Sequence, residues 1–226
     1  MIIKTTNLCW QWPRQTARLR FPDISLPAGE HLFIHGPSGS GKTTLLSLLS
    51  GLNRATLGSI RVHGQDLARL SGSARDRLRA DRTGVIFQQF NLVPYLSALD
   101  NVTLPCRLSR HRRQQAGDPA DAARQLMTAL GLPVETFTRK APELSTGQQQ
   151  RVAAARALIG APPLILADEP TSALDVVNRD RFVALLLEQA ARTGSSVVFV
   201  SHDPALASHF GNHLELLTET ETEANP

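Results

Sequence analysis

The residues with the clearest chemical meaning lie at positions 36–44, where the sequence reads GPSGSGKTT. This stretch fits the pattern G-x-x-x-x-G-K-[ST], in which glycines let backbone N–H groups turn inward around a phosphate. A lysine in this pattern reaches the outer phosphates of a nucleotide, and the hydroxyl after it ligates Mg²⁺. The sequence therefore predicts a phosphate-binding site formed by Gly36, Pro37, Ser38, Gly39, Ser40, Gly41, Lys42, Thr43 and Thr44.

Two adjacent acids follow the apolar run in LILADEP, at positions 164–170. An apolar strand that ends in Asp168 places its carboxylate at the end of a sheet where a phosphate loop also lies. We expect Asp168 to complete the Mg²⁺ shell, and Glu169 to act as the general base that polarises an attacking water. Without a phosphate loop, the pair would be two solvated acids at a strand end.

Short apolar runs and helical patterns must position these residues. HLFIHG (31–36) predicts a strand, and the leucine spacing of KTTLLSLLSGL (42–52) predicts a helix. Three further runs lack polar alternation, which favours buried parallel strands; they occupy positions 84–89, 163–168 and 195–202. A helical pattern at 179–194 completes the alternation of an α/β core.

The rest of the chain departs from this alternation. Short antiparallel strands are predicted for IIKTTNLCWQW, HLFI and GSIRVHG near the N-terminus. Residues 89–157 predict helices, with a mobile loop at 109–121. We expect one domain over 1–226, with a catalytic core and β subdomain at 1–88 and 158–226 and a helical subdomain at 89–157.

Composition indicates a globular protein in a reducing compartment. Hydrophobic residues make up 42% and charged residues 19%, with a net charge of +4. The chain has no apolar run near the about 20 residues that span a bilayer and no signal-peptide pattern, so we expect it in the cytosol. Cys9 and Cys106 are expected to be free thiols. The basic run at 107–113 lacks interleaved aromatics, so it predicts a solvated face and no direct nucleic-acid contact.

The phosphate loop and acids alone would fit a nucleotide kinase, a GTPase or a recombinase-like ATPase. ELSTGQQQR (143–151) and LILADEPTSALD (164–175) resemble the ATP-binding cassette (ABC) ATPases, whose L-S-G-G-Q signature, Walker B motif and D-loop occur in this order. Gln88 matches the Q-loop of that family, Asp175 its D-loop and His202 its switch histidine. Taken singly, Gln88 and His202 would more often be ordinary polar residues.

The resemblance implies a fold and a dimer. The fold is a P-loop NTPase (RecA-like) parallel-sheet core with an N-terminal antiparallel β subdomain and an inserted α-helical subdomain. Two chains, identical or different, would sandwich two ATP molecules and Mg²⁺ head to tail. Lys42, Gln88, Glu169 and His202 would be catalytic, with Thr43, Gln88 and Asp168 at the metal. The partner chain would contact ATP through its Ser145, Thr146, Gly147, Gln148 and Asp175.

Two positions depart from the family pattern. Thr146 stands where the family has glycine, which would matter if that position required a positive φ. Threonine suits a helix N-terminus, and Ser145 and Gly147 are intact, so we predict a working signature with altered affinity. Trp12 stands where a tyrosine usually stacks on adenine, and Trp10 on the same strand is the alternative.

The same resemblance suggests a membrane partner. The motifs are similar to the branch of lipoprotein-releasing and macrolide-exporting cassettes, although importer and cell-division cassettes share most of them. The expected role is a peripheral motor on the inner membrane for separate permease subunits. We expect about half of the apolar residues near the Q-loop to contact the permease and the others to fill the small core of the helical subdomain. These residues are Phe90, Leu92, Val93, Pro94 and Tyr95. The alternative functional classes are a non-transport ABC ATPase and a nucleotide-binding regulator without turnover.

Overall fold

A computed structural model describes residues 1–12, 17–217 and 219–222 of the chain. The strands are β1 (Ile3–Gln11), β2 (Ala17–Arg20), β3 (Ser25–Leu26), β4 (Leu32–His35), β5 (Leu57–Val62), β6 (Gln65–Asp66), β7 (Thr83–Ile86), β8 (Leu164–Asp168), β9 (Ser196–Ser201), β10 (Asn212–Glu215) and β11 (Glu219–Thr222). The helices are α1 (Lys42–Leu49), α2 (Gly72–Arg82), α3 (Ala98–Leu108), α4 (Arg110–Ala116), α5 (Pro119–Ala129), α6 (Thr146–Leu158) and α7 (Val176–Arg192).

The core of the fold is a parallel sheet with the strand order β10-β4-β9-β8-β7. Successive side chains of β8 point to opposite faces of the sheet and pack in two different hydrophobic cores. Leu164 and Leu166 pack with α1, while Ile165 and Ala167 pack with α6 and α7. Because both faces are covered, these strands are continuous apolar runs. The predicted α/β core is therefore confirmed.

One part of the strand prediction is wrong. HLFI was assigned to the N-terminal antiparallel strands, but β4 pairs in parallel with both β9 and β10. Phe33 and Ile34 are fully buried in β4, which lies between β10 and β9. The run is too short and too uniformly apolar for alternation to reveal its partner strands.

The antiparallel sheet forms a second layer, with strand order β11-β2-β1-β5-β6 and β3 paired to β1. Ile60 and Val62 of β5 point into the core below, whereas Arg61 between them is exposed. This alternation is typical of a sheet with one solvated face. The predicted N-terminal antiparallel region is confirmed, with the C-terminal strand β11 added at its edge.

Helices α3 to α6 lie between β7 and β8 in the chain, and α3 packs on α6. The predicted mobile loop at 109–121 is wrong, because this segment contains α4 and the start of α5. Ser109 caps α4 by accepting a hydrogen bond from the Arg112 N–H at 3.1 Å. Arg112 itself is buried, so the basic run is not wholly a solvated face. The subdomain boundaries at 88/89 and 157/158 remain predictions.

Candidate nucleotide-binding site

The parallel sheet brings the chemical residues to one edge. The loop 36–41 follows β4, Gln88 follows β7, Glu169 follows β8, and His202 follows β9. Since these strands are parallel and adjacent, their carboxyl ends open on the same crevice. Residues far apart in sequence therefore meet at one place.

The loop 36–41 has a backbone that only glycine adopts easily at two positions. Gly39 and Gly41 have φ values of 84° and 91°, in the left-handed region. Gly36 is needed for a different reason, since a Cβ there would lie 2.3 Å from the carbonyl oxygen of Leu216. The Ser40 hydroxyl is buried and has no hydrogen-bond partner among the described residues. This arrangement leaves a cradle of backbone groups at the start of α1.

Lys42 is the first residue of α1, and its side chain is only 6% exposed. Its ammonium donates hydrogen bonds to the carbonyl oxygens of Gly36 and Pro37, each at 2.9 Å. It also lies 3.8 Å from Glu169 Oε1. The charge is thus held above the loop, between the cradle and the acids.

Thr43 and Asp168 face each other across the same crevice. The Thr43 hydroxyl donates to Asp168 Oδ1 at 3.3 Å. Burial raises the pKa of the Asp168 carboxyl, Thr43 opposes that shift, and the Glu169 charge adds to it. A hydroxyl and a partly desolvated carboxylate are oxygen ligands of the kind that Mg²⁺ takes.

Glu169 has an unusual backbone and two polar neighbours, Lys42 and His202. Its φ is 43°, and its N–H donates to the Val200 carbonyl at 2.9 Å. His202 Nδ1 lies 3.1 Å from Glu169 Oε2, on the side away from Lys42. A left-handed non-glycine residue is costly and is found mostly where a site requires it. The strand-end geometry therefore aims this carboxylate into the crevice.

A cleft of about 330 Å³ joins these groups to the first strand. Trp12, at 39% exposure, lines this cleft together with Gln88 and Glu169. Trp10 does not line this cleft; its ring meets that of Trp12 edge-on at 6.3 Å. Of the two tryptophans, Trp12 is the one that lines the cleft beside the loop 36–41.

Ser145 to Gln148 and Asp175 do not line that cleft and form a second group. Ser145 caps α6 in a capping box, in which Gln148 N–H donates to Ser145 Oγ and Ser145 N–H donates to Gln148 Oε1. Gly147 is close to Leu174, because a Cβ there would lie 3.7 Å from Leu174 Cδ2. Asp175 caps α7 through Asn178, and this hydrogen bond lowers the pKa of its carboxyl.

Sequence reasoning missed an ion pair that holds the His202 segment. Arg179 of α7 pairs with Asp203, the residue after His202, and its side chain is only 12% exposed. Arg179 comes one helical turn after Asp175. An arginine on a charged helix face gives no signal of its own, because the partner lies 24 residues away in sequence.

Comparisons with known proteins agree with this geometry. Residues 19–172 match the family described as ABC transporter. The chain is 44% identical over 205 residues to the lipoprotein-releasing system ATP-binding protein LolD of Anaeromyxobacter dehalogenans (strain 2CP-C), covering 91% of this chain and 84% of that one. It is 40% identical over 209 residues to the probable export ATP-binding/permease protein MacB of Pseudomonas entomophila (strain L48), covering 90% and 30%.

A solved structure extends the likeness to the whole fold. It is a dimeric ATP-binding cassette in a post-hydrolysis state with ADP and Pi, and it is 31% identical. It covers 99% of this chain and 100% of its own, with a TM-score of 0.82.

Proposed function

Because the chain belongs to the ABC transporter family of ATP-binding proteins, we propose that it is the ATPase subunit of a lipoprotein-releasing or efflux transporter. The ATPase works as a dimer with a separate membrane permease. The observation that carries the proposal is the convergence of Lys42, Glu169 and His202 beside the glycine loop. The Lys42 ammonium and the His202 imidazole flank one carboxylate, an arrangement that can both hold a phosphate and activate a water.

The loop residues fit a nucleotide phosphate chain. The backbone N–H groups of Ser38, Gly39 and Gly41 and the start of α1 offer donors and a positive dipole end. The unpartnered Ser40 hydroxyl provides a further buried polar group. On binding, the Lys42 ammonium exchanges its carbonyl partners for phosphate oxygens, and Trp12 stacks on the adenine.

Glu169 then acts on water. Its carboxylate accepts a proton as the water oxygen bonds to the γ-phosphorus and the bond to the bridging oxygen breaks, which gives ADP and phosphate. His202 holds Glu169 in place and offers its ring to the γ-phosphate. Thr43, Gln88 and Asp168 would hold Mg²⁺, which supplies charge neutralisation of the phosphates. Lys42 stabilises the charge that develops on the leaving oxygens.

The residues Ser145 to Gln148 and Asp175 would contact a nucleotide only when a second chain binds that nucleotide and the two chains form a dimer. Ser145, Gly147 and Asp175 lie outside the cleft of their own chain. A head-to-tail pair places the N-terminus of α6 over the phosphates held by the partner's loop. Thr146 and Gln148 belong to this contact, and the partner can be a second copy or a different cassette.

An apolar groove is the docking site that we propose for the permease. It has a volume of about 320 Å³ and lies between the core and the helical region. Its apolar lining is Leu52, Val85, Phe87, Leu104, Pro105 and Leu108. Among the residues near the Q-loop, Phe90 is in the core and Leu92 packs against it, whereas Tyr95 is 75% exposed.

The cellular location that we propose for the chain follows from its membrane permease partner. In the described part of the chain, no helix has the length and apolarity to cross a membrane. Docking on a permease would hold the ATPase at the cytoplasmic face of the inner membrane.

Phosphate release by the purified chain with Mg²⁺ and ATP tests the proposal. Glu169→Gln should lower the rate about 10²–10⁴-fold and accumulate an ATP-bound dimer on size-exclusion chromatography. Glu188→Gln is the matched control, since Glu188 is an exposed acid paired with Arg192 on α7. Turnover in Glu169→Gln equal to that of the control would contradict the assignment.

The transport class needs a separate measurement. Reconstitution with its permease in proteoliposomes should give ATP-dependent release of a lipidated protein or efflux of a small molecule. Uptake alone would favour the importer alternative.

A further inference from the structure

The segment after β7 makes a tight turn with two left-handed residues. Phe90 and Asn91 have φ values of 57° and 48°. Asparagine tolerates this conformation, but a bulky residue such as phenylalanine seldom adopts it. The Phe90 N–H donates to the Phe87 carbonyl at 2.9 Å, which closes a turn with Gln88 inside it. The position of Gln88 therefore depends on how this turn is held.

Arg156 holds the turn from the last part of α6. Its guanidinium donates to the carbonyl oxygen of Asn91 at 2.6 Å and to that of Phe90 at 2.5 Å. A planar guanidinium can serve both acceptors at once, which an ammonium does less well. The two strained residues are thus fixed by one side chain from another element.

The same helix carries the signature at its other end. Ser145 caps α6, and Arg156 follows eleven residues later, about 16 Å along the helix axis. Arg156 and Phe87 also line the apolar groove. One rigid helix therefore connects the N-terminus that contacts the partner's nucleotide with the turn that places Gln88.

We propose that Arg156 is a positioning residue that makes the Gln88 turn and the signature helix move as one body. The inference rests on the proposed ATPase function, because it concerns how two parts of that site stay in register. Arg156 does not line the cleft beside Lys42. It acts by keeping Gln88 at a fixed place in the cleft when α6 closes on the partner, and small displacements at such a site cost much rate.

Arg151 provides a matched control from the same helix. It also donates a guanidinium hydrogen bond to a backbone carbonyl, that of Gly131 at 2.8 Å, in a segment away from Gln88. The test compares Arg156→Gln and Arg156→Lys with Arg151→Gln in the full chain. Each variant is measured for kcat and KM with Mg²⁺ and ATP, for Tm, and for the ATP-trapped dimer in a Glu169→Gln background.

Arg156→Gln should lower kcat about tenfold or more, with KM for ATP within about twofold, and should weaken the trapped dimer. Arg151→Gln should lower Tm without changing kcat. Arg156→Lys retains the charge and stem but not the planar fork, so its Tm should stay near that of wild type while kcat remains reduced. This variant carries the test if Arg156→Gln does not fold.

Equal kcat in the Arg156 and Arg151 variants, with an active wild type, would overturn the positioning role alone. Absence of turnover in the wild type would overturn the proposed function and this inference together.

Discussion

At the scale of single residues, Thr146 shows how one backbone angle decides a substitution. Thr146 is the first residue of α6, so its backbone is helical. The left-handed conformation that would exclude a β-branched residue is not required there. The capping box of Ser145 and Gln148 remains intact around it. The structure thus removes the physical objection to threonine at 146, and a working signature stays the prediction.

Thr146→Gly should therefore leave ATP turnover within about threefold of wild type. Because Gly is a poorer helix residue, the free energy of unfolding should fall by up to about 1 kcal/mol. Ser145→Ala, which removes the cap, should cost about 1 kcal/mol and serves as a reference for a damaged helix start. Phosphate release and urea unfolding give both quantities. Turnover and dimerisation found only in Thr146→Gly would show that the wild-type signature is impaired.

His63 is a second residue whose surroundings change a measurable property, in this case the dependence of stability on pH. It forms a two-residue turn with Gly64 between β5 and β6, with φ values of 54° and 75°. Its Nε2 is buried without a hydrogen-bond partner among the described residues. Burial lowers the pKa of His63 to about 4, and the charge of Arg82 adds to this effect.

A histidine whose folded pKa is depressed destabilises the fold in acid. The unfolded chain takes up the proton near pH 6.5 while the folded chain does not, so stability falls as the pH drops from about 6.5 to about 4. After discounting for partial exposure, the loss is about 1–2 kcal/mol. His63→Asn should remove it, because Asn-Gly favours this turn and does not titrate.

Urea unfolding of wild type and His63→Asn at pH 7 and pH 5 measures this loss. The variant should be the less sensitive to acid, and the exposed His213→Asn should behave as wild type. An equal loss of stability in wild type and His63→Asn would contradict the assignment.

At the scale of elements, α4 is attached to the end of α6 by Arg112. Its Nε donates to the Ile159 carbonyl at 2.9 Å, and its Nη2 donates to the Ala157 carbonyl. Burial lowers the pKa of its guanidinium to about 10, which still leaves it charged at neutral pH. The last carbonyls of α6 have no other side-chain donor among these contacts. A single arginine therefore satisfies a helix end and orients its own helix.

Arg112→Met should lower the free energy of unfolding by about 2–4 kcal/mol, because two buried carbonyls lose their donors. The neighbouring Arg113→Met should change it by less than about 0.5 kcal/mol, since Arg113 is exposed. Urea denaturation of both variants tests the difference. Equal losses would mean that the buried contacts of Arg112 contribute nothing beyond its charge.

The same elements show what sequence can and cannot predict. The parallel strands and the glycine loop were predictable because their patterns are local. Helix α4 was not, since its sequence RHRRQQA has no apolar stripe and its order comes from Arg112 reaching a helix 45 residues away. The place of β4 in the sheet and the clamp of Arg156 likewise depend on partners distant in sequence, which periodicity does not encode. Asp168 and Glu169 were predicted beside the phosphate loop because strand direction brings these segments together, whereas Gln88 and His202 were predicted only from the resemblance to the ABC ATPases.

At the scale of the whole molecule, the two groups of residues proposed to bind ATP do not line one cleft. Lys42 lines the cleft proposed to bind the phosphates, whereas Ser145 to Gln148 and Asp175, proposed to contact the nucleotide of a partner chain, lie outside it. Directly after Asp175, Val176 and Val177 are 61% and 77% exposed in the single chain. Two adjacent exposed valines beside a functional loop are consistent with a surface that a second cassette covers. We expect these valines to be buried when ATP closes the dimer.

Val177→Glu in a Glu169→Gln background should therefore raise the dissociation constant of the ATP-trapped dimer about tenfold or more. A charge placed in a covered apolar contact loses its hydration without gaining a partner. Val134→Glu is the control, because Val134 is 69% exposed and lies in the connection between α5 and α6, outside the residues proposed to contact the partner. Sedimentation with ATP measures the dimer, and Trp12 fluorescence measures nucleotide binding by the single chain. Equal weakening by both variants would indicate a general charge effect, whereas loss in Val177→Glu alone places the start of α7 in the interface that completes both ATP sites.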